Sequence, residues 1–396
     1  MTPPTPAGRH ARRRDRGAAL LVVIVSTAIL TAIAVDLAYN TRVSLLTAAN
    51  SRDELRAEYL ARGGVQLSRL VLQFQKQLDD AVPAGGAVPR VQVWNLVPVT
   101  SAFTDGLFGA GDRGGGPPAT FEAKIEDEGS KVNVQFDQAF TGGNLLGAEV
   151  KALLELVGDP RWDALFDRED ANGLKVTRTD LAVYLRDWTD DNSTGSAFSA
   201  ALNPPFADGF GDESQPYSRG EDRYEAKNAR FDSLDELYLV AGIDDAFMAA
   251  FGGHLTVYTH LSGRINVNTL DPAELLLIAR VMADPSQQPR LADPAFPRDL
   301  LKAVSEARLG GLLTMRPAQF AQLLQSLGVQ VDGMYLQEGS ADKGGAFTDR
   351  SLVYRIRATG SAGAAERRVD ATISFDPGQL GQESASAGRL LHWREE

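Results

Sequence analysis

The longest apolar run of the chain, Ala18 to Val35, carries no charge and sits directly after an arginine-rich stretch. A helix of roughly 20 apolar residues, rising 1.5 Å each, covers the ~30 Å core of a bilayer, so this run is long enough to span one. A secretory signal would have a shorter apolar region, a small-x-small cleavage site and then a turn. Here the chain continues "DLAYNTRVSLLTAANSRDELRAEYLARGGVQLSRLVLQFQKQL" with no proline to stop a helix. The pattern therefore predicts one long helix whose first third is apolar. Further along, Leu60, Leu67, Leu70, Val71 and Phe74 recur at three- and four-residue steps, which predicts an amphipathic stem with one face to bury.

Beyond the stem the pattern changes twice. Gly- and Pro-rich sequence with one expected strand around Val91 to Val99 leads into "TFEAKIEDEGSKVNVQF", which alternates as a strand and turns at Gly129. Six helical patterns follow: "GAEVKALLELVG", "TDLAVYLRDW", "SLDELYLVAGI", "DPAELLLIARVM", "DLLKAVSEARLG" and "RPAQFAQLLQSLG". Alternation returns in "LVYRIRATGSAGAAERRVDATISF" and "GRLLHWREE". Helices bracketed by strands predict an α+β protein in which a large all-α region is inserted into a sheet, because loop closure costs only logarithmically with insertion length. The insertion carries a weak duplication. "GSKVNVQF" at Gly129 is echoed by "GRINVNTL" at Gly263, each an extended entry to a helical subdomain in which Asn133 or Asn268 satisfies local backbone.

Composition narrows the function classes. The formal net charge is −12; five arginines against one aspartate give the segment before Ala18 +4 and leave −16 on the remainder. An acidic body argues against nucleic acid as a partner, and the basic cluster predicts a cytoplasmic N-terminus with the body across the membrane. No cysteine is present, which removes disulfides and thiolate chemistry. With four histidines and no G-x-S-x-G, H-E-x-x-H or P-loop pattern, the chain does not read as an enzyme. Gly109, Gly111 and Gly114 match G-x-G-x-x-G, but they run into Gly115, Gly116, Pro117 and Pro118 instead of a helix N-terminus. "LDELYLVAGIDDAFMAAF" is similar to helix-hairpin-helix modules that hold phosphate on backbone N–H groups, yet Ile243 and Asp244 follow Gly242, so the second glycine is missing.

One constellation carries candidate chemistry. Asp187, Asp190 and Asn192 in "DWTDDN", with Glu221 and Asp222 in "GEDRYE", form the densest group of oxygen ligands, and Asp208, Asp212 and Glu213 lie close enough to join. Calcium takes six to eight hard oxygens in flexible geometry, which short acidic loops supply; the alternative is a solvated loop with Asp187 as a helix cap. Between Trp188 and Tyr224 the chain reads as a long loop with Gly195, Gly209, Gly211, Pro204 and Pro205. "DREDANGL" fails as an EF-hand, since Arg168 and Thr179 stand at the first and last ligand positions.

Taken in order, the basic leader ending in "RG" before "AALLVVIV", then "AEYLARGGVQ", "YLRDWTDDN", "GEDRYE", "DSLDELYLVAGI", "GRINVNTLDPAEL" and the terminal "LLHWREE" resemble the minor pseudopilin K family of type II secretion systems (general secretion pathway protein K) over nearly the whole chain. The resemblance implies a leader, 1–17, cut after Gly17 by prepilin peptidase with methylation of Ala18. It further implies a transmembrane and stem helix over 18–80 and a pilin-like antiparallel sheet from 81–138 and 350–396. Two inserted SAM-like helical subdomains would occupy 139–260 and 261–349. Pilin-like proteins carry a glutamate at the fifth mature position, where this chain has Val22; in that family picture the carboxylate neutralises a neighbour's amine inside the bilayer. Its absence suits a subunit with nothing above it, at the pseudopilus tip, on the minor pseudopilins I and J and served by an inner-membrane assembly platform. The family also implies calcium in the helical region, a single-pass inner-membrane anchor, a periplasmic body and no nucleic acid. The alternative is a signal-anchored periplasmic domain whose helix-hairpin-helix-like modules bind nucleic acid or another ligand.

Overall fold

The computed structural model describes residues 11–82, 90–108, 119–137, 143–169, 173–218, 223–258, 264–332, 345–376 and 387–396. A single helix, α1 (Ala11–Ala81), runs through the apolar segment and the stem without a break. At 1.5 Å per residue it is about 105 Å long. From Leu20 to Leu46 its large apolar side chains are exposed, as a bilayer-embedded surface requires.

The stem's C-terminal half lies on a five-stranded antiparallel sheet in the order β1-β2-β9-β10-β11. The strands are β1 (Val99–Thr100), β2 (Ala119–Asp127), β9 (Val353–Ala362), β10 (Ala365–Ser374) and β11 (Arg389–Glu395), with α2 (Ser101–Phe108) linking the first two. Registers such as Ile125↔Ile356 and Ile356↔Ala371 place one row of alternating side chains toward the helix. Val65 and Leu72 of α1 form a core with Tyr354, Ile356, Val369, Ile373 and Phe375. The face that α1 buries is rotated from the expected one. Ala57, Ala61, Gly64, Val65, Ser68 and Leu72 meet the sheet and the expected Leu67 and Val71 pack at its margin, whereas Leu70 and Phe74 point outward at 59% and 52% exposure. Small residues win these positions because the strand backbone comes so near the helix that larger side chains do not fit. The last strand is strapped to the stem by the Arg62–Glu395 ion pair at 3.0 Å and by Arg69 Nε donating to the Ala387 carbonyl at 2.7 Å.

Between β2 and β9 the chain builds a helical region with its own core. It contains β3 (Val132–Asn133), α3 (Gly143–Val157), α4 (Asp163–Phe166), α5 (Arg178–Thr189), β4 (Thr194–Phe198), β5 (Phe206–Asp212), α6 (Asp245–Phe251), β6 (Leu255–Thr256), β7 (Ile265–Asn266), α7 (Pro272–Met282), α8 (Gln288–Leu291), α9 (Phe296–Ala307), α10 (Pro317–Ser326) and β8 (Phe347–Thr348). The duplicated stretches adopt the same motif: β3 pairs in parallel with β6, and β7 with β8. Asn133 Oδ1 accepts the Gln135 N–H at 3.0 Å and Asn266 Oδ1 accepts that of Asn268 at 3.0 Å. The counterpart of Asn133 is thus Asn266. Asn268 takes the place of Gln135, and the two amides clamp neighbouring loops through Met315 and Asp349 and through Phe231 and Val257. "SLDELYLVAGI" forms a 3-10 helix at Leu234–Leu239 where an α-helix is expected. Of the strand expected around Val91 to Val99, the structure keeps a bridge between Val91 and Leu313 and, after a turn, the start of β1 at Val99.

Candidate functional site

The acidic constellation is built on the end of α5. Thr177 and Asp180 form a reciprocal capping box that starts this helix, and Asp187 and Trp188 occupy its last turn. Asp190 caps the end in an extended conformation (φ −80°, ψ 174°), which sends the chain straight into β4. The stretch expected to be an unstructured loop is in fact a hairpin of β4 and β5 folded back over α5. Its strands lack large alternating apolar residues, so period-two reading had nothing to detect. Ser196 donates its N–H to Asp187 Oδ1 at 2.9 Å, fixing the hairpin on the carboxylate.

Just past β5, Glu213 swings back, and one carboxylate oxygen from each of Asp187, Asp190 and Glu213 lies within 4.8 Å of the other two. All three side chains are buried. Neither oxygen of Glu213 receives a hydrogen bond, and Asp190 Oδ2 receives none although Arg186 Nε is 3.4 Å away. Arg186 also donates to the Phe136 carbonyl, so one shared cation faces three acids. Burial, then the charges of Asp190 and Asp187, pushes the Glu213 carboxyl up to about 8, and burial also raises Asp187 and Asp190. Trp188 closes one side, its ring centroid 5.3 Å from that of Tyr217 and 6.3 Å from that of Phe231.

The donors fit calcium. With all three acids ionised, two negative charges exceed the one on Arg186, up to six carboxylate oxygens are available, and buried oxygens without donors are what an oxygen-seeking dication satisfies. The ligand set differs from the expected one. Asn192 is exposed, and its Oδ1 accepts the Thr194 N–H at 2.7 Å, so its side chain serves the turn and does not join the cluster. Asp208 and Asp212 face solvent. Glu221 and Asp222 lie outside the described residues. Glu213 is the residue that sequence reading left in a secondary place, because no fixed spacing ties it to α5; only the hairpin does.

Gly17, Ala18 and Val22 are exposed on the N-terminal part of α1, which continues through them as regular helix. At the hairpin resembling a phosphate-binding module, Gly242 has φ 86°, but Asp244 caps α6, its Oδ1 accepting the Phe247 N–H at 2.9 Å. A carboxylate thus holds the helix end that an incoming phosphate would need.

No protein-family model matches the chain, and no curated protein matches it by sequence. Among solved structures, a chain in the crystal structure of the GspK–GspI–GspJ complex from the enterotoxigenic Escherichia coli type 2 secretion system is similar in fold. The TM-score is 0.51 at 16% identity, over 88% of this chain and 99% of that one. The likeness is one of architecture: a long N-terminal apolar helix followed by a mixed helical and antiparallel-sheet body, the pseudopilin-like α+β fold.

Proposed function

We propose that the chain is a minor pseudopilin of type II secretion, of the K type, standing at the tip of the pseudopilus and supporting export of folded proteins across the outer membrane. The observation that carries this reading is the fold likeness over nearly the whole of a chain from the GspK–GspI–GspJ complex, joined to an apolar helix left entirely exposed for a bilayer. Minor pseudopilins I and J are the partners it would meet. The outward stripe of Leu55, Tyr59, Leu70 and Phe74 on α1 offers apolar surface to neighbouring stem helices. Val22, without a carboxylate to dock on a subunit above, suits a cap. The structural role needs no catalysis, and the chain is not proposed to be an enzyme.

Coexpression with prepilin peptidase and pseudopilins I and J tests this reading. The extracted protein is expected to start at methylated Ala18 by intact mass and to copurify with both partners, whereas Gly17→Val keeps the leader. An uncut, partnerless wild-type chain would leave only an anchored periplasmic domain.

Asp187, Asp190 and Glu213 would hold a calcium ion, which supplies the positive charge that keeps the β4–β5 hairpin against α5. Without the ion, the sign of the pH dependence follows from Glu213. Its folded pKa, about 8, lies above the ordinary 4.5, so apo stability declines as pH rises from about 5 toward 8. Glu213→Gln is therefore expected to melt higher than wild type in chelator at pH 8 and equally at pH 5. Calcium at a hundredfold excess over Kd contributes about 2.7 kcal/mol, a rise of a few degrees for a chain this size, in wild type but not in the variant. Equal melting curves for the two proteins in both buffers would reduce the cluster to a buried acidic corner.

A further inference from the structure

A second group of donors lies apart from the calcium candidate. His254 ends the short 3-10 helix Gly252–His254 just before β6, and Asp271 and Glu274 open α7. An imidazole nitrogen and one oxygen from each carboxylate lie within 4.8 Å of one another. Glu274 is buried, His254 is half-buried and Asp271 is exposed. Asp271 Oδ1 caps the helix by accepting the Ala273 N–H at 2.7 Å, and Thr269 Oγ1 donates to Glu274 Oε2. Among the described residues no lysine or arginine pairs with either carboxylate. Two acids, one of them removed from water, thus face an imidazole, with no direct ion pair among the described residues and only the more distant charge of Lys131 acting on Glu274.

We propose that His254, Asp271 and Glu274 form a binding site for a transition-metal dication of the zinc class. The ligand chemistry separates it from calcium, which takes oxygen donors, whereas an imidazole with carboxylates suits zinc and its neighbours. Zinc holds nitrogen and oxygen at about 2.1 Å, so two ligands on one ion lie at most about 4.2 Å apart. In a tetrahedral site neighbouring ligands stand about 3.4 Å apart, so donors spread over up to 4.8 Å close by up to about 1.4 Å, which the exposed Asp271 and half-buried His254 side chains supply by rotation. The three donors come from either side of the duplication, His254 from its first half and the two acids from its second. An ion bound there joins the halves of the helical region.

Calorimetry with zinc chloride on the untagged full-length protein in detergent tests the site. Wild type is expected to bind one zinc in this site at micromolar Kd or tighter and to melt several degrees higher with it, while calcium does not displace it. His254→Ala and Asp271→Asn are each expected to weaken binding at least tenfold. Asparagine retains helix capping, so the second variant reads the metal without loss of the fold. Asp190→Asn is expected to leave the zinc affinity unchanged. Wild-type binding weaker than about 100 µM, or an affinity that Asp271→Asn does not alter, overturns the assignment.

Discussion

A leucine at Gly360 is expected to destabilise the sheet against the stem by about 3 kcal/mol or more, the upper end of what overpacking a well-packed core costs. A Cβ built on Gly360 would lie 2.0 Å from the Ala57 carbonyl oxygen and 2.6 Å from the Ala61 nitrogen, both backbone atoms of α1. No rotamer change relieves a clash with a helix backbone, so the strand and the helix must separate. Separation opens the core of Val65, Leu72, Ile356 and Ile373 beneath them. Gly63 provides the control, because a Cβ there meets nothing within 4 Å. Urea unfolding followed by tryptophan fluorescence, with Trp94 packed 5.5 Å from Tyr354, reports the sheet directly. A midpoint for Gly360→Leu no lower than that of Gly63→Leu would mean that the stem does not seat on β9 at this distance.

Glu128→Ala is the other change of this size, with an expected cost of about 3–5 kcal/mol, typical of removing one partner from a buried ionic group. Glu128 is fully buried where β2 ends; Lys131 Nζ lies 2.6 Å from its Oε1, Arg355 Nε of β9 2.9 Å away, and Thr256 of β6 donates to Oε2. Sheet and helical region therefore meet on one carboxylate, and the alanine leaves two buried cations facing each other. Burial opposes ionisation here, but Lys131 and Arg355 override it and hold the carboxyl below its ordinary value of 4.5. A depressed folded pKa gives stability that is complete above about pH 4.5 and is lost as pH falls through the folded value. The difference in unfolding free energy between wild type and Glu128→Ala should thus be constant from pH 5 to 7 and shrink below 4.5. A difference that instead shrinks on the alkaline side would show that this carboxylate is not the ionised centre of the joint.

The architecture was legible wherever apolar spacing alone determines it. The unbroken α1, the interrupted sheet and the helical insertion follow from runs and periods in the sequence. What escaped depended on close approach or on pairing between distant segments. The buried stripe of α1 is Ala57, Ala61 and Gly64 because Gly360 and Ala358 press on it, and that constraint comes from β9, some 300 residues further along. Glu126, Asp127, Glu128 and Lys131 belong to the stretch expected to alternate as a strand and turn at Gly129, which marks none of them for burial, yet Asp127, Glu128 and Lys131 are buried, Asp127 bonded by Asn266, Glu128 by Thr256 and Arg355, and Lys131 paired with Glu128. In the acidic site Asp187 and Asp190 were visible as a local motif. Glu213 was legible only as one of three acids able to join, since it is the β4–β5 hairpin that brings it to α5.

The pairing of β2 with β9 also sets a timetable for biosynthesis. About 225 residues lie between Asp127 and Val353, the facing ends of the two strands. At ~5–20 residues per second the ribosome needs about 10–45 s to supply them. Throughout that delay the nine residues of β2 have an open edge, while the helical insertion, most of whose core is its own, has time to collapse beside them. Newly made chains are thus most exposed to mispairing before β9 emerges, and a holdase that covers extended segments would act on Ala119–Asp127 in that interval.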